Sequence, residues 1–350
     1  MSVFEEVQPG PPPLVSVVVA AYQAEATLPA TIASVLDQTH ERLELLVVDD
    51  GSTDGTPSVI DAAAAADARV VPVSYGGNRG RSAARNEGIA RASGDWLAFV
   101  DADDLLARDR LEAMLGAAAA EPGCQLVFDD RWGFTVAADG AVTMEHRFPA
   151  RHTWRTGGSE RVDPARHFTD RFGHMDLMVR RTLLERTGAT FPEELEIGED
   201  LAFYLTLLFA SPPPRAVRLA RGSYYYRLGP TSRAAGAADT WQRVIDLVVE
   251  RTGSDDLRHL ADRWQPVHSY LYRRTDEALA AEGRLRDRQS PPDPRVRPSV
   301  PLGFGWLLSV KALQWLGRWE DRRTGQAEAA RDDVRAQLSR RPSWSSTGRG

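Results

Sequence analysis

The sequence predicts a doubly wound, mostly parallel α/β sheet with a C-terminal helical extension. Two observations carry that expectation. Short apolar runs dense in β-branched residues alternate with segments of helical periodicity between residues 15 and 100. The first of these runs is apolar on both faces, as a central parallel strand requires. Strand, helix, strand, helix in this order implies right-handed crossovers, which bring the strands' carboxyl ends to one edge.

Residues 1–13 end in Gly-Pro-Pro-Pro and read as a flexible leader. Val15 to Ala21 (VSVVVAA) is the first strand, and Leu28, Ile32, Val35 and Leu36 follow at helical spacing. Leu43 to Val48 is a second strand closing on Asp49-Asp50-Gly51-Ser52-Thr53-Asp54. A helix is expected over 57–66, a strand over 69–74 and a Gly-rich loop over 76–80. A helix over 82–92 then leads to a strand from Trp96 to Val100. Leu105 to Ala120 reads as a helix and Gln125 to Asp129 as a strand. Ala138-Asp139-Gly140 marks the turn of a hairpin between 131 and 147. His174 to Val179 reads as a strand and 181–187 as a helix, with a further helix from Leu201 to Phe209. Ala216 to Ala220 and Tyr224 to Arg227 are two further strands.

The expected division of the chain follows from these elements. Residues 14–235 are expected to form the main domain, in halves of about 14–122 and 123–235, and 236–282 a helical extension. A Pro- and Arg-rich linker over 283–300 leads to an apolar, Trp-rich helix over 301–320. A polar tail over 321–350 is expected to lack fixed structure.

At 350 residues with a net charge of −6, the chain has room for a sizeable core, and its bulk charge does not suggest a nucleic-acid partner. Lys311 is the only lysine, a bias that with the alanine runs fits a GC-rich coding sequence. The single cysteine, Cys124, excludes an intramolecular disulfide and a cysteine-built zinc site. The first residues carry no secretory signal, and no apolar run is long enough to span a bilayer, so a cytoplasmic protein is expected.

The chemistry gathers at strand ends. The strand Trp96–Val100 stops in Asp101-Ala102-Asp103-Asp104, three carboxylates within four residues. Asp101 and Asp103 lie two apart, so an extended backbone sends their side chains to the same side. Two such carboxylates repel unless a cation lies between them, and a hard divalent ion holding a diphosphate suits the pair. The bland alternative is a solvated turn in which Asp104 caps the next helix. Asp49-Asp50 ends the second strand, for which helix capping by Ser52, Thr53 or Asp54 is the bland reading. Glu199 and Asp200 open an apolar helix, where acids also favour the helix dipole.

Five ordered pieces together resemble the family 2 glycosyltransferases, which share the type A nucleotide-diphospho-sugar-binding fold. They are VSVVVAAYQAEATLPATIASVLDQT, LLVVDDGSTDGT, NRGRSAARNEGIARASGDWLAFVDADD, GEDLAF and YYYR, and they run from about Val15 to Ser232. The resemblance implies a bacterial enzyme transferring sugar from a nucleotide-diphospho-sugar, with a UDP-sugar expected, to a carbohydrate or lipid-linked acceptor. It implies that Ala20, Ala21 and Tyr22 line the nucleotide pocket and that Asp50 accepts a hydrogen bond from the base. Arg85 would reach ribose or phosphate, Asp101 and Ala102 would lie by the ribose, and Asp103 would bind Mg²⁺ or Mn²⁺. Asp200 would be the catalytic base, with Glu199 beside it, in one inverting displacement. Gln23 departs from the asparagine usual after the tyrosine.

Two other readings compete. A sugar nucleotidyltransferase should carry a Gly-rich, Arg- or Lys-containing loop after the first strand, where this chain has Tyr22-Gln23-Ala24-Glu25. A silent nucleotide-sugar-binding protein would not need Asp103 and Asp200. A dehydrogenase is disfavoured because no G-x-G-x-x-G follows the first strand. Leu302 to Trp319, rich in tryptophan and poor in charge, either packs on the catalytic domain or makes peripheral contact with a membrane.

Overall fold

A computed structural model of the chain describes residues 11–147, 158–165, 168, 176–228, 237–263, 325–340, 342 and 344. One mixed ten-stranded sheet organises them. Its first half alternates as expected: β1 (Val15–Ala21), α1 (Leu28–Leu36), β2 (Leu43–Asp49), α2 (Thr56–Ala66), β3 (Val70–Ser74), α3 (Arg81–Arg91) and β4 (Trp96–Asp101). These four strands are parallel in the order β3-β2-β1-β4. Helices cover both faces, so side chains of β1 alternate between two cores. Val18 belongs to one core, while Val15, Val17 and Val19 belong to the other with Ile32 and Val35 of α1. That double burial is the physical reason for the unbroken valine run.

The second half differs from expectation in its details. Leu105 and Leu106 do not begin a helix. They form β5 (Leu105–Leu106), antiparallel to Tyr225 and Tyr224, and the helix α4 (Arg110–Ala119) starts later. Cross-strand pairing outweighs local helix propensity there. The strand expected at 125–129 runs on as β6 (Cys124–Val136), and the turn at 137–141 joins it to β7 (Val142–Arg147), as the Asp-Gly signal predicts. A short β8 (Ser159–Arg161) follows within the polar region. The return strand is β9 (Leu177–Arg180), inserted antiparallel between β4 and β6, so both halves of the chain share one sheet. After α5 (Arg181–Thr187) and α6 (Glu199–Leu208), the two strands expected at 216–227 are one, β10 (Arg215–Arg227), with irregular register around Gly222.

Beyond the sheet, α7 (Ala237–Thr252) buries Trp241, Val244, Ile245 and Val248 in the core shared with α6. A helix α8 follows over residues 255–263. The expectation of an unstructured tail over 321–350 fails at α9 (Gln326–Ser339). That helix places Ala330 and Val334 in a third core with Trp132, Phe134, Val142 and Tyr225. Its Gln337 amide donates to the Leu106 carbonyl at 2.9 Å, and Tyr225 donates to Asp333 at 2.8 Å. Averaged composition looks polar because the apolar residues form one narrow stripe. The Pro-rich linker 283–300, the Trp-rich segment 301–320 and the loop Thr231–Arg233 lie outside the described residues. Among the described residues, no helix is long and apolar enough to cross a membrane.

Candidate active site

The carboxyl ends of β1, β2 and β4 and the start of α6 converge. The loops after β1 and β2 are stitched together by Gln23. Its Oε1 accepts the Thr53 N–H at 2.8 Å and the Asp54 N–H at 3.2 Å, while its own N–H donates to Ser52 Oγ at 3.0 Å. A longer side chain at this position therefore serves as a brace. Asp54 Oδ1 accepts the Thr56 N–H at 3.0 Å at the start of α2, so the bland capping reading holds for that residue. Gly51 has φ +74, and a Cβ there would meet the Gly77 carbonyl carbon at 2.5 Å; only glycine lets the loops after β2 and β3 touch.

Three of the expected site residues are engaged within the protein. Asp50, expected to face the nucleotide base, is 3% exposed. Its oxygens accept Tyr75 Oη at 2.8 Å, the Arg79 N–H at 2.7 Å and the Gly80 N–H at 2.9 Å, which pins the Gly-rich loop. Ala21 is 1% exposed and packs in the core. Ala20 is half-buried, and Tyr22 is 51% exposed with its ring open to a ligand. Arg85, expected to point at ribose or phosphate, is 7% exposed and already engaged. It donates to Asp101 Oδ1 at 2.6 Å and to Glu199 Oε1 at 3.1 Å. It thereby ties the end of β4 to the start of α6, where Glu199 lies 114 residues beyond Arg85 in sequence.

This arrangement sets the charges. Burial pushes the Asp101 carboxyl up, but the Arg85 charge and hydrogen bond outweigh it and hold the group below the ordinary carboxylate range. Asp103 is exposed at the turn and raised, first by desolvation and then by the neighbouring Asp101 charge. Asp104 is fully buried and pushed well above the ordinary range by desolvation and by both neighbouring acids. It does not cap α4, whose N-cap position is Asp109. Glu199 is buried and raised by desolvation and by Asp200, against the pull of Arg85 and of Arg81 at 3.4 Å.

The two adjacent acids of α6 are thus distinguished by their surroundings. Glu199 faces two guanidiniums, whereas half-buried Asp200 shows one hydrogen bond, from the Leu201 N–H at 2.7 Å. Gly198 before them has φ +84, and a Cβ there would sit 2.9 Å from Val244, so α7 packs tightly behind this turn.

A divalent cation fits the turn at Asp103. The donors are hard oxygens, the Asp103 carboxylate is exposed, and the adjacent Asp101 charge makes a positive ion favourable there. Among the described residues no three His, Cys, Asp or Glu side chains form a ready cage. Mg²⁺ or Mn²⁺ sites of one or two carboxylates completed by substrate phosphates need none. Asp129 and Asp176, which the sequence reading did not single out, form a buried polar layer behind the turn with Arg110, Arg131 and Tyr224 of the YYYR piece.

Comparison with known proteins gives a consistent picture. Residues 16–185 match the family model described as glycosyl transferase family 2. A Bacillus subtilis (strain 168) protein named putative teichuronic acid biosynthesis glycosyltransferase TuaG is 33% identical over 196 residues, covering 56% of this chain and 72% of the relative. An Escherichia coli protein, UDP-Glc:alpha-D-GlcNAc-diphosphoundecaprenol beta-1,3-glucosyltransferase WfaP, is 26% identical over 222 residues, covering 63% of this chain and 80% of the relative. Among solved structures, S. aureus TarS 1-349 in complex with UDP-GlcNAc is similar in fold, with a TM-score of 0.57 at 21% identity, covering 68% of this chain and 66% of that chain.

Proposed function

Because this chain belongs to glycosyl transferase family 2, we propose that it moves a sugar from a UDP-sugar to an acceptor hydroxyl in the synthesis of a cell-surface polysaccharide. The arrangement that carries the reading is the Arg85 bridge. It joins the acidic turn after β4 to the acidic start of α6, leaving the Asp103 carboxylate exposed and Asp200 without an ion pair among the described residues. A uridine nucleotide and a lipid-linked carbohydrate acceptor are suggested by the named reaction of the E. coli relative.

In this mechanism Tyr22 stacks on the nucleotide, and Ala20 and Ala102 border it. Asp103 would hold Mg²⁺ or Mn²⁺, which when bound would neutralise charge on the departing diphosphate. Asp101, kept ionised by Arg85, adds negative potential on the same turn. Asp200 accepts the proton of the acceptor hydroxyl as that oxygen bonds to the anomeric carbon. The bond from that carbon to the diphosphate oxygen breaks in the same displacement, inverting the configuration. Glu199, held by Arg85 and Arg81, orients the first turn of α6 and does not exchange the proton.

The test is a transfer assay with a panel of UDP-sugars, a diphospholipid-linked acceptor and Mn²⁺. Asp200→Asn should lower turnover by about 10²-fold or more while donor affinity stays nearly constant. Greater damage to turnover from Glu199→Gln would reverse the assignment of the two acids.

A further inference from the structure

The Tyr224-Tyr225-Tyr226-Arg227 run at the end of β10 has no part in the mechanism above, yet it grips the acidic turn. Tyr224 Oη donates to Asp104 Oδ2 at 2.7 Å and accepts the Asp101 N–H at 3.1 Å. The Arg227 N–H donates to Asp104 Oδ1 at 2.7 Å, and Arg227 Nε donates to the Asp103 carbonyl at 2.9 Å. The turn is therefore held by the backbone of its first and third residues and by both carboxylate oxygens of its fourth. These grips spare the Asp103 carboxylate. One local bond closes the turn, from the Asp104 N–H to the Asp101 carbonyl at 3.1 Å, but these gripping partners lie 120 or more residues away in sequence.

The Tyr224 ring is itself fixed. It lies 5.3 Å from the Arg110 guanidinium and 5.7 Å from that of Arg131. Arg110 makes two bonds of 2.9 Å to Asp129, and Arg131 bonds Asp176 at 2.7 and 2.9 Å. Fully buried ion pairs of this kind contribute little net stability, because desolvation offsets their attraction. What they do supply is a fixed position for the ring between them. A phenylalanine could fill the same space, so the hydroxyl is the group that needs a reason.

We propose that Tyr224 is a positioning residue for donor binding: its ring is held against Arg110 and Arg131, and its hydroxyl fixes the 101–104 turn so that Asp103 presents its carboxylate to the cation and diphosphate. This rests on the metal-dependent reading given above. Groups that orient a metal ligand typically matter by about 10–100-fold in metal affinity.

The decisive variant is Tyr224→Phe in the full-length chain, which keeps the ring and its cation contacts. UDP binding is titrated calorimetrically with Mn²⁺ and with EDTA, beside Asp104→Asn and the double variant. Tyr224→Phe should weaken Mn²⁺-dependent UDP binding by about 10-fold or more, leave binding in EDTA unchanged and unfold near the wild-type temperature. Asp104→Asn should give a similar loss, with the double variant little worse than either single change, because both break one contact. Wild-type Mn²⁺-dependent affinity in Tyr224→Phe would overturn the proposal. If the wild-type protein binds UDP equally well with Mn²⁺ and with EDTA, the metal reading itself has failed. Tyr224 is then judged by amide hydrogen exchange over 101–104 and by the donor KM. Faster exchange with a raised donor KM sustains the positioning role; unchanged exchange, or faster exchange with an unchanged KM, overturns it.

Discussion

Arg85→Met tests whether one guanidinium joins the two acidic elements. Methionine keeps much of the length and packing but removes the charge, leaving Glu199 buried beside Asp200. Breaking a buried ion pair by removing one partner costs about 3–5 kcal/mol. Two features of the structure favour the low end. Arg81 already reaches Glu199 at 3.4 Å, and 41% of the Asp101 side chain faces solvent, which screens its share. A loss of about 3 kcal/mol with a urea slope of about 3 kcal/mol/M should move the midpoint by about 1 M.

The pH dependence has a definite sign. The Glu199 carboxyl is already raised, and without Arg85 it should rise further. A raised carboxyl is a charge that the folded state resists, so stability is lost as pH climbs through the folded value and is recovered below it. The deficit of Arg85→Met relative to the wild-type protein should therefore shrink as pH falls. Adding Glu199→Gln removes the stranded charge and should recover at least about 1 kcal/mol at neutral pH, a coupling that a double-mutant cycle reads directly. A midpoint shift below about 0.3 M, or purely additive losses in the cycle, would refute the bridge as an energetic link.

Other consequences can be checked alongside it. Asp103→Ala should abolish transfer and remove the Mn²⁺ dependence of UDP binding while leaving the unfolding midpoint near that of the wild-type protein; full activity in that variant or in EDTA would take the metal out of the mechanism. Asp176 is pushed up to about 6 by burial and by Asp129, against the pull of Arg131 and Arg110. It should therefore contribute a loss of stability as pH rises from about 4 to about 6, and Asp176→Asn should flatten that part of a stability–pH curve. Val334→Asp, at a fully buried position of α9, should destabilise the catalytic domain itself by several kcal/mol, because it places an unpaired charge against Trp132 and Phe134; a wild-type unfolding midpoint would mean that α9 does not belong to that core.

The parts of this protein legible in its sequence are those whose physics is local or periodic. The strands β1 to β4 can be read because burial on both faces demands continuous apolar, β-branched runs, and their order forces a parallel sheet. The acidic turn can be placed at the sheet's edge for the same reason. What the sequence withholds is which carboxylate faces what. Asp50 and Asp103 look alike as acids after strands, but Asp50 is enclosed by the Arg79 and Gly80 amides, and Asp103 is left out by the grips of Tyr224 and Arg227. Glu199 and Asp200 are adjacent in sequence and lie beyond the 16–185 family match, yet among the described residues one is held by guanidiniums and the other is not. In each case the difference comes from a partner distant in the chain, which neither periodicity nor capping rules can supply. The same cause hid β5, made by pairing with β10, and α9, whose stripe has meaning only against the β6–β7 hairpin. A motif can thus name the chemical groups of this site, while their surroundings are set by Arg85 and Tyr224, two side chains that bind distant parts of the protein.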